Sequence, residues 1–579
     1  MSTSLSAPVR GRVRGWVVQL AVVAAVTALV CAQSWFYVDD WLMALILPNM
    51  SVPEMLGYSY FGHFMPGFAV AQRLFWDTFG PSWLAASVIT ALILCAASLA
   101  ARRVVESTVD RPGPWGFVAG LMVPLSLSFL MCAGWWSATM QPLVPAVAGV
   151  SVVGCATRYY RTGRARHLVG LALVDTLAMS FFEKSAIYAA FAGLWCLLVV
   201  HVGGARAVLA QVVRRWPAWA VLAVVDAVFL ILYVRGDYAG SVVPASGALT
   251  AEFAGRAVGL AVVPATFGLD LVRVPQALVV PLAVVAALML TAIWVVLIRR
   301  HRGNRVVLAF WVVMLLVAEL PLAVGRSGLL GLDAGRQLRY QLDASALTLM
   351  ALAVAAVRAR VLELGRHRAG RTAFIGLLVL LMTGTTYSAV VTLRQYPATS
   401  ARAWHEAFTA TWPTTGTVRV VDGPMAAPIA PDWLYPFSRS HLLPKMVDNV
   451  EFVDQLEGSM AVGPDGRVGP AEFKAEVTLG PGRCTPRAML DSVALTSQPG
   501  ADYDIRVTVV AAAPTPARVL VGNASLQPAA VRKSPTLPAG RSTVLTWWST
   551  KPPVDTIGVH GASANVCIEK VELGHIVPR

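Results

Sequence analysis

Long apolar runs separated by short, arginine-rich loops fill the first two thirds of the chain. Runs of roughly 17–25 residues, the length a helix needs to cross a bilayer, stand near 16–35, 82–101, 115–135, 142–157, 168–182 and 185–202. Others stand near 217–234, 276–298, 306–324, 342–357 and 373–392. This pattern predicts about eleven transmembrane helices. Arg10, Arg12 and Arg14 before the first run resemble the start of a signal peptide. The run is long and lacks a convincing small-residue cleavage site before the acidic loop, so an uncleaved first span is expected.

Beyond Leu393 the texture changes. Pro and Gly become frequent, and apolar residues alternate with polar ones, as in Asp504-Ile505-Arg506-Val507-Thr508-Val509. Short alternating runs recur at Ala517–Val521, Ser542–Trp547, Thr556–His560 and Asn565–Leu573, as in an all-β sandwich or jelly roll. The expected fold is therefore a mainly α polytopic membrane protein with a C-terminal extracytoplasmic β-sandwich or jelly-roll domain. Its divisions are a multi-span domain at 1–393, an α/β connecting region at 394–475 and the β domain at 476–579.

Composition agrees with this division. The chain is 56% hydrophobic and 14% charged, with a formal charge of +15. Residues 1–393 hold 30 Lys and Arg against 16 Asp and Glu; residues 394–579 hold 17 against 16. The basic excess thus lies in loops between apolar runs, which is the signature of membrane topology and not of a nucleic-acid surface. With the N-terminus cytoplasmic, the inner loops carry 22 basic residues and the outer loops 8. That assignment puts the long loops 35–81 and 235–275, and everything after Leu393, outside. Cys31, Cys95, Cys132, Cys155 and Cys196 lie in or beside apolar runs and read as small hydrophobes. Cys484 and Cys567, at opposite ends of the β region in an oxidising compartment, are a candidate disulfide.

The first outer loop opens with Trp35-Phe36-Tyr37-Val38-Asp39-Asp40-Trp41. Two adjacent carboxylates near apolar surface raise each other's pKa and can take a proton from a hydroxyl or hold a cation. Either could instead cap a helix starting at Trp41. A divalent metal is a candidate cofactor, although no motif has metal-ligand spacing. His63, with no second His or Cys nearby, reads as a hydrogen-bonding loop residue and a candidate substrate contact. The segment Ala69–Phe79 reads as an amphipathic helix on the interface.

Arg326, Arg336 and Arg339, with Tyr340, gather cationic groups at one outer edge, against the charge rule. Guanidinium groups match phosphate oxygens bidentately; pairing with Asp333, Asp343, Glu319 or lipid headgroups is the plainer account. Glu183 and Lys184 occupy another outer turn, as substrate contacts or as a local ion pair. Asp175, Asp226 and Glu319 fall inside spans, where acids mark functional positions or packing networks. Trp135-Trp136 reads as an aromatic belt and Trp547-Trp548 as core filling.

Taken together, Tyr37-Val38-Asp39-Asp40, Phe182-Glu183-Lys184-Ser185 and the Gly335–Tyr340 stretch ahead of a late span resemble the GT-C superfamily of integral-membrane glycosyltransferases. The Arg- and Ala/Val-rich composition with a β ectodomain looks most like its actinobacterial cell-wall arabinofuranosyltransferases. The resemblance implies a polyprenyl-phosphate sugar donor, a glycan or lipid acceptor, and an outer-face reaction. One of Asp39 and Asp40 would be the base, with Lys184, Arg336 and Arg339 on the lipid phosphate. It assigns nothing to Gly62–Gly67. The rival readings are a transporter or flippase, which would need paired intramembrane charges and repeated halves, and a membrane scaffold displaying a β module.

Overall fold

The computed structural model describes residues 7–579 apart from short gaps, the longest being 237–245, 430–439, 480–490 and 495–502. Two compact units result, Met1–Thr399 and Ser400–Arg579.

The first unit is helical. Among the described residues, eight helices are long and apolar enough to cross a membrane, or nine if the bent pair Trp115–Met122 and Leu127–Ala133 is one span. Eleven were expected, and the difference has local causes. The described apolar part of the first helix, Gly15–Cys31, has 17 residues. Ala165–Phe181 and Leu342–Arg358 have 17 each. The bent pair turns by 44° around Pro124, whose ring disfavours helix at the preceding residue. One stretch expected as outer loop, Gly247–Ala265, is instead a 19-residue apolar helix. Its weak amphipathy hid it, because it is punctuated by Glu252 and Arg256.

The loop 35–81 is folded rather than open. It holds a helix Asp39–Ile46, a hairpin of Ser59–Tyr60 with His63–Phe64, and a helix Pro66–Phe79. Gly62 turns the hairpin with φ 78°, a conformation glycine adopts freely. The Pro66–Phe79 helix is the expected amphipathic one, but its apolar face packs on protein. Phe68, Phe75 and Trp76 are buried, and Arg73 donates to the carbonyls of Leu47 (2.9 Å) and Met50 (3.1 Å). Gly67 lets it approach closely: a Cβ there would come within 2.4 Å of Ser180 Oγ and 2.9 Å of the Phe181 ring. An aromatic cluster locks the loop, with Phe36 on Trp76 and Trp83 at 5.0 Å and Phe75 on Trp136 at 4.1 Å. Trp135 and Trp136 are only 9% and 1% exposed, so they belong to this packing and not to an interfacial belt.

The second unit contains two sheets. The larger runs in the order Gly540–Trp548, Tyr503–Ala511, Val566–Pro578, Val468–Leu479, Met460–Val462, Val418–Val421, Val450–Val453. The smaller joins Ala530–Lys533, Thr515–Gly522, Thr556–Gly561 and Asp491–Ala494. The alternation read from sequence sets the core: Ile505, Val507 and Val509 point inward with Val544, Val559 and Leu573. Cys567 stands in a disulfide; Cys484 and the side chains of Trp547 and Trp548 lie outside the described residues.

Candidate functional site

Both acids of the pair lie in the first turn of the Asp39–Ile46 helix, where the helix dipole favours negative charge. Neither caps it. The residue before them, Val38, has φ 51° and ψ −106°, a left-handed conformation costly for a β-branched side chain. This forced turn sends the two carboxylates into different surroundings.

Asp40 is fully buried and fully engaged. Its Oδ1 accepts from the Ser137 amide (2.7 Å) and hydroxyl (2.5 Å), and its Oδ2 from the Tyr37 amide (3.0 Å). Burial pushes its pKa up to about 7, against the pull of those three donors. Asp40 therefore ties the loop to the Trp136–Ala138 turn. Asp39 is half-buried. Burial raises its pKa, while the Tyr60 hydroxyl bonded to it and the nearby Arg339 guanidinium pull it down. A carboxylate tuned upward, partly exposed and beside a cation is equipped to accept a proton.

Arg339 is held by stacking. Its guanidinium lies 4.4 Å from the Trp135 ring centre and 4.8 Å from that of Tyr340, and it donates to the Tyr340 hydroxyl (3.0 Å). Trp135 in turn packs on Tyr37, 4.8 Å away and two residues before Asp39.

Glu183 and Lys184 do not pair with each other. Glu183 bonds to His63 Nδ1, whereas the Lys184 ammonium reaches Asp343 (2.9 Å) and the Tyr340 carbonyl (3.3 Å). The hairpin thus acts as a strut, because Tyr60 and His63 are directly opposed. One strand meets Asp39 through Tyr60 and the other Glu183 through His63. That gives the Gly62–Gly67 stretch a role that sequence reading could not assign. Tyr60, Ser137, Tyr188 and Asp343 were missed as site residues; only the aromatic-Gly-His turn at 60–63 signalled one of them.

Arg336 stands apart. It donates to the Leu271 carbonyl (2.9 Å) and lies 3.8 Å from Asp333, which also receives Arg256 at 3.3 Å. The plainer account of an ion-paired arginine fits it. The Arg326 side chain lies outside the described residues.

Lys184 forms part of two walls. On one side is a narrow cleft of about 20 Å³ with Ser185, Tyr188, Arg339, Tyr340 and Asp343. On the other is a cavity of about 600 Å³, mostly apolar, lined by Phe64, Met179, Phe229, Leu230 and Leu322, with His63, Glu183 and Asp226 as its polar groups. Asp175 is fully buried, and neither of its oxygens has a hydrogen-bond partner among the described residues. No group of three His, Cys, Asp or Glu side chains among the described residues could hold a metal ion.

No family model matches the chain, and no curated protein sequence matches it. Among solved structures it is similar to the apo oligosaccharyltransferase of Archaeoglobus fulgidus, at 14% identity and TM-score 0.39 over 70% of this chain and 62% of that one. It is also similar to the arabinofuranosyltransferase AftD from Mycobacteria, at 12% identity and TM-score 0.41 over 99% and 61%. A third is the arabinosyltransferase EmbB of Mycobacterium smegmatis, at 12% and 0.34 over 100% and 66%. The chain thus spans about three fifths to two thirds of the length of these glycosyltransferases.

Proposed function

We propose that the chain is a multi-pass membrane glycosyltransferase that moves a sugar from a polyprenyl-phosphate donor to a cell-envelope glycan or lipid acceptor. The division of labour in the Asp pair carries this reading: Asp40 is consumed by structure, and Asp39 is left as a tuned, partly exposed base beside Arg339. The donor lipid would lie in the apolar cavity with its phosphate at Lys184 and its sugar towards Asp39. As the acceptor oxygen bonds to the anomeric carbon, the bond from that carbon to the phosphate oxygen breaks. The acceptor proton passes to Asp39, and the electron pair leaves with the phosphate. Lys184 and Arg339 meet that developing charge, and positioning with electrostatic stabilisation provides most of the rate effect. The motif resemblance and the inner-loop arginines support a reaction on the outer face, with the N-terminus cytoplasmic.

The test is transfer by membranes carrying wild type, Asp39→Asn and Asp40→Asn, supplied with polyprenyl-phosphate sugars and envelope glycans. Transfer lost in Asp39→Asn at normal protein level supports the reading; transfer unaffected in both variants removes it. One observation favours a transporter instead: Asp175 and the neighbouring Asp226, an acid pair within helices that the transfer mechanism does not use. Alanine at Asp175, which lines neither the cleft nor the cavity, decides, because a transporter would lose function and a transferase would retain it.

A further inference from the structure

Lys184 has three N–H donors and, among the described residues, two protein acceptors. Those acceptors, Asp343 and the Tyr340 carbonyl, belong to consecutive elements: the turn Leu338–Tyr340 and the first turn of the helix Leu342–Arg358. Asp343 is itself fixed, since its other oxygen receives the Tyr188 hydroxyl. The ion pair is almost dry, with side chains 9% and 12% exposed. A lysine is a point charge on a flexible four-carbon stem, so its direction depends on what grips it. Here the grip leaves one donor over, at the wall shared by the cleft and the larger cavity.

Building on the glycosyltransferase reading, we infer that Asp343 is a positioning residue that aims the spare Lys184 donor at a lipid-linked phosphate. Tyr188 holds Asp343 in the orientation that does so. Asp343 does not touch the substrate; it acts through Lys184. A merely structural ion pair, joining the Glu183–Ala186 turn to the late helix, would stabilise the fold without affecting phosphate binding.

The test is titration of the full chain in lipid nanodiscs with farnesyl phosphate, with inorganic phosphate as the control for a headgroup alone. Wild type binds farnesyl phosphate saturably, and Asp343→Asn weakens binding about tenfold, a coupling common for contacting pairs. Asp343→Glu restores most of it. In a Lys184→Ala background, Asp343→Asn adds no further loss. Equal losses in the two backgrounds, or wild-type affinity in Asp343→Asn, overturn the inference. If Asp343→Asn fails to fold, Tyr188→Phe leaves the ion pair in place and should weaken binding in the same Lys184-dependent way; unchanged affinity there also overturns it. Wild type that does not bind farnesyl phosphate removes the functional reading and this inference together. Binding that needs Lys184 but ignores Asp343 removes the inference alone.

Discussion

Replacing Asp40 by asparagine should leave the chemistry and change the stability, and above all its dependence on pH. The folded protein holds the Asp40 proton up to pH about 7, whereas an unfolded chain releases it near the ordinary aspartate value of about 4. Between those values the folded state binds more protons than the unfolded one, so stability falls as pH rises. At about 1.4 kcal/mol per pH unit over roughly three units, Asp40 contributes about 4 kcal/mol below pH 4 that is gone above pH 7. Asparagine does not titrate, and the slope it causes should vanish. Its amide can keep one oxygen on Ser137 but turns donor against the Tyr37 N–H, at a cost of about 1–3 kcal/mol. The two effects have opposite signs: at pH 4 the amide cost dominates and the variant should be about 1–3 kcal/mol less stable than wild type, whereas at pH 8 the lost Asp40 contribution of about 4 kcal/mol outweighs that cost and the variant should be the more stable. Thermal unfolding of the solubilised protein at both values reads this directly. Asp39→Asn should instead lower transfer by about 10²–10⁴ at normal protein level. A stable, inactive Asp40→Asn alongside an active Asp39→Asn would refute the division of the pair.

Three further outcomes follow from the same geometry. Tyr60→Phe removes a hydrogen bond that lowers the Asp39 pKa, so the acidic limb of the transfer profile should move to higher pH; an unmoved limb takes Tyr60 out of the site. Gly67→Ala forces a methyl group onto Ser180 and Phe181, which should cost about 1–3 kcal/mol in thermal or denaturant unfolding. Arg339→Lys keeps the charge but gives up the planar stack on Trp135 and Tyr340, and should raise the donor KM about tenfold, against no change if charge alone matters.

How much of this was legible in the sequence depends on range. Periodicity located most membrane helices and the inward Ile505-Val507-Val509 row, because both patterns are local. The helix at 247–265 escaped because its Glu252 and Arg256, which pair one turn apart, read as loop polarity. At the site, residue types pointed to Asp39, Asp40, Lys184 and Arg339. They could not separate the two acids, because that depends on Ser137, 97 positions away. Nor could they pair Lys184 with Asp343 rather than Glu183, since that choice is made by helices meeting in three dimensions.

The place of Lys184 in the partition between two spaces bears on turnover. On the transferase reading, a lipid tail in the large cavity and a glycan at the cleft would share one contact, the phosphate-bearing junction, and part company there when the glycosidic bond has formed. The spent lipid would then leave by way of the apolar cavity and the lengthened glycan by way of the cleft. Their release then has no compulsory order, and product inhibition by a polyprenyl phosphate should be competitive with the donor alone.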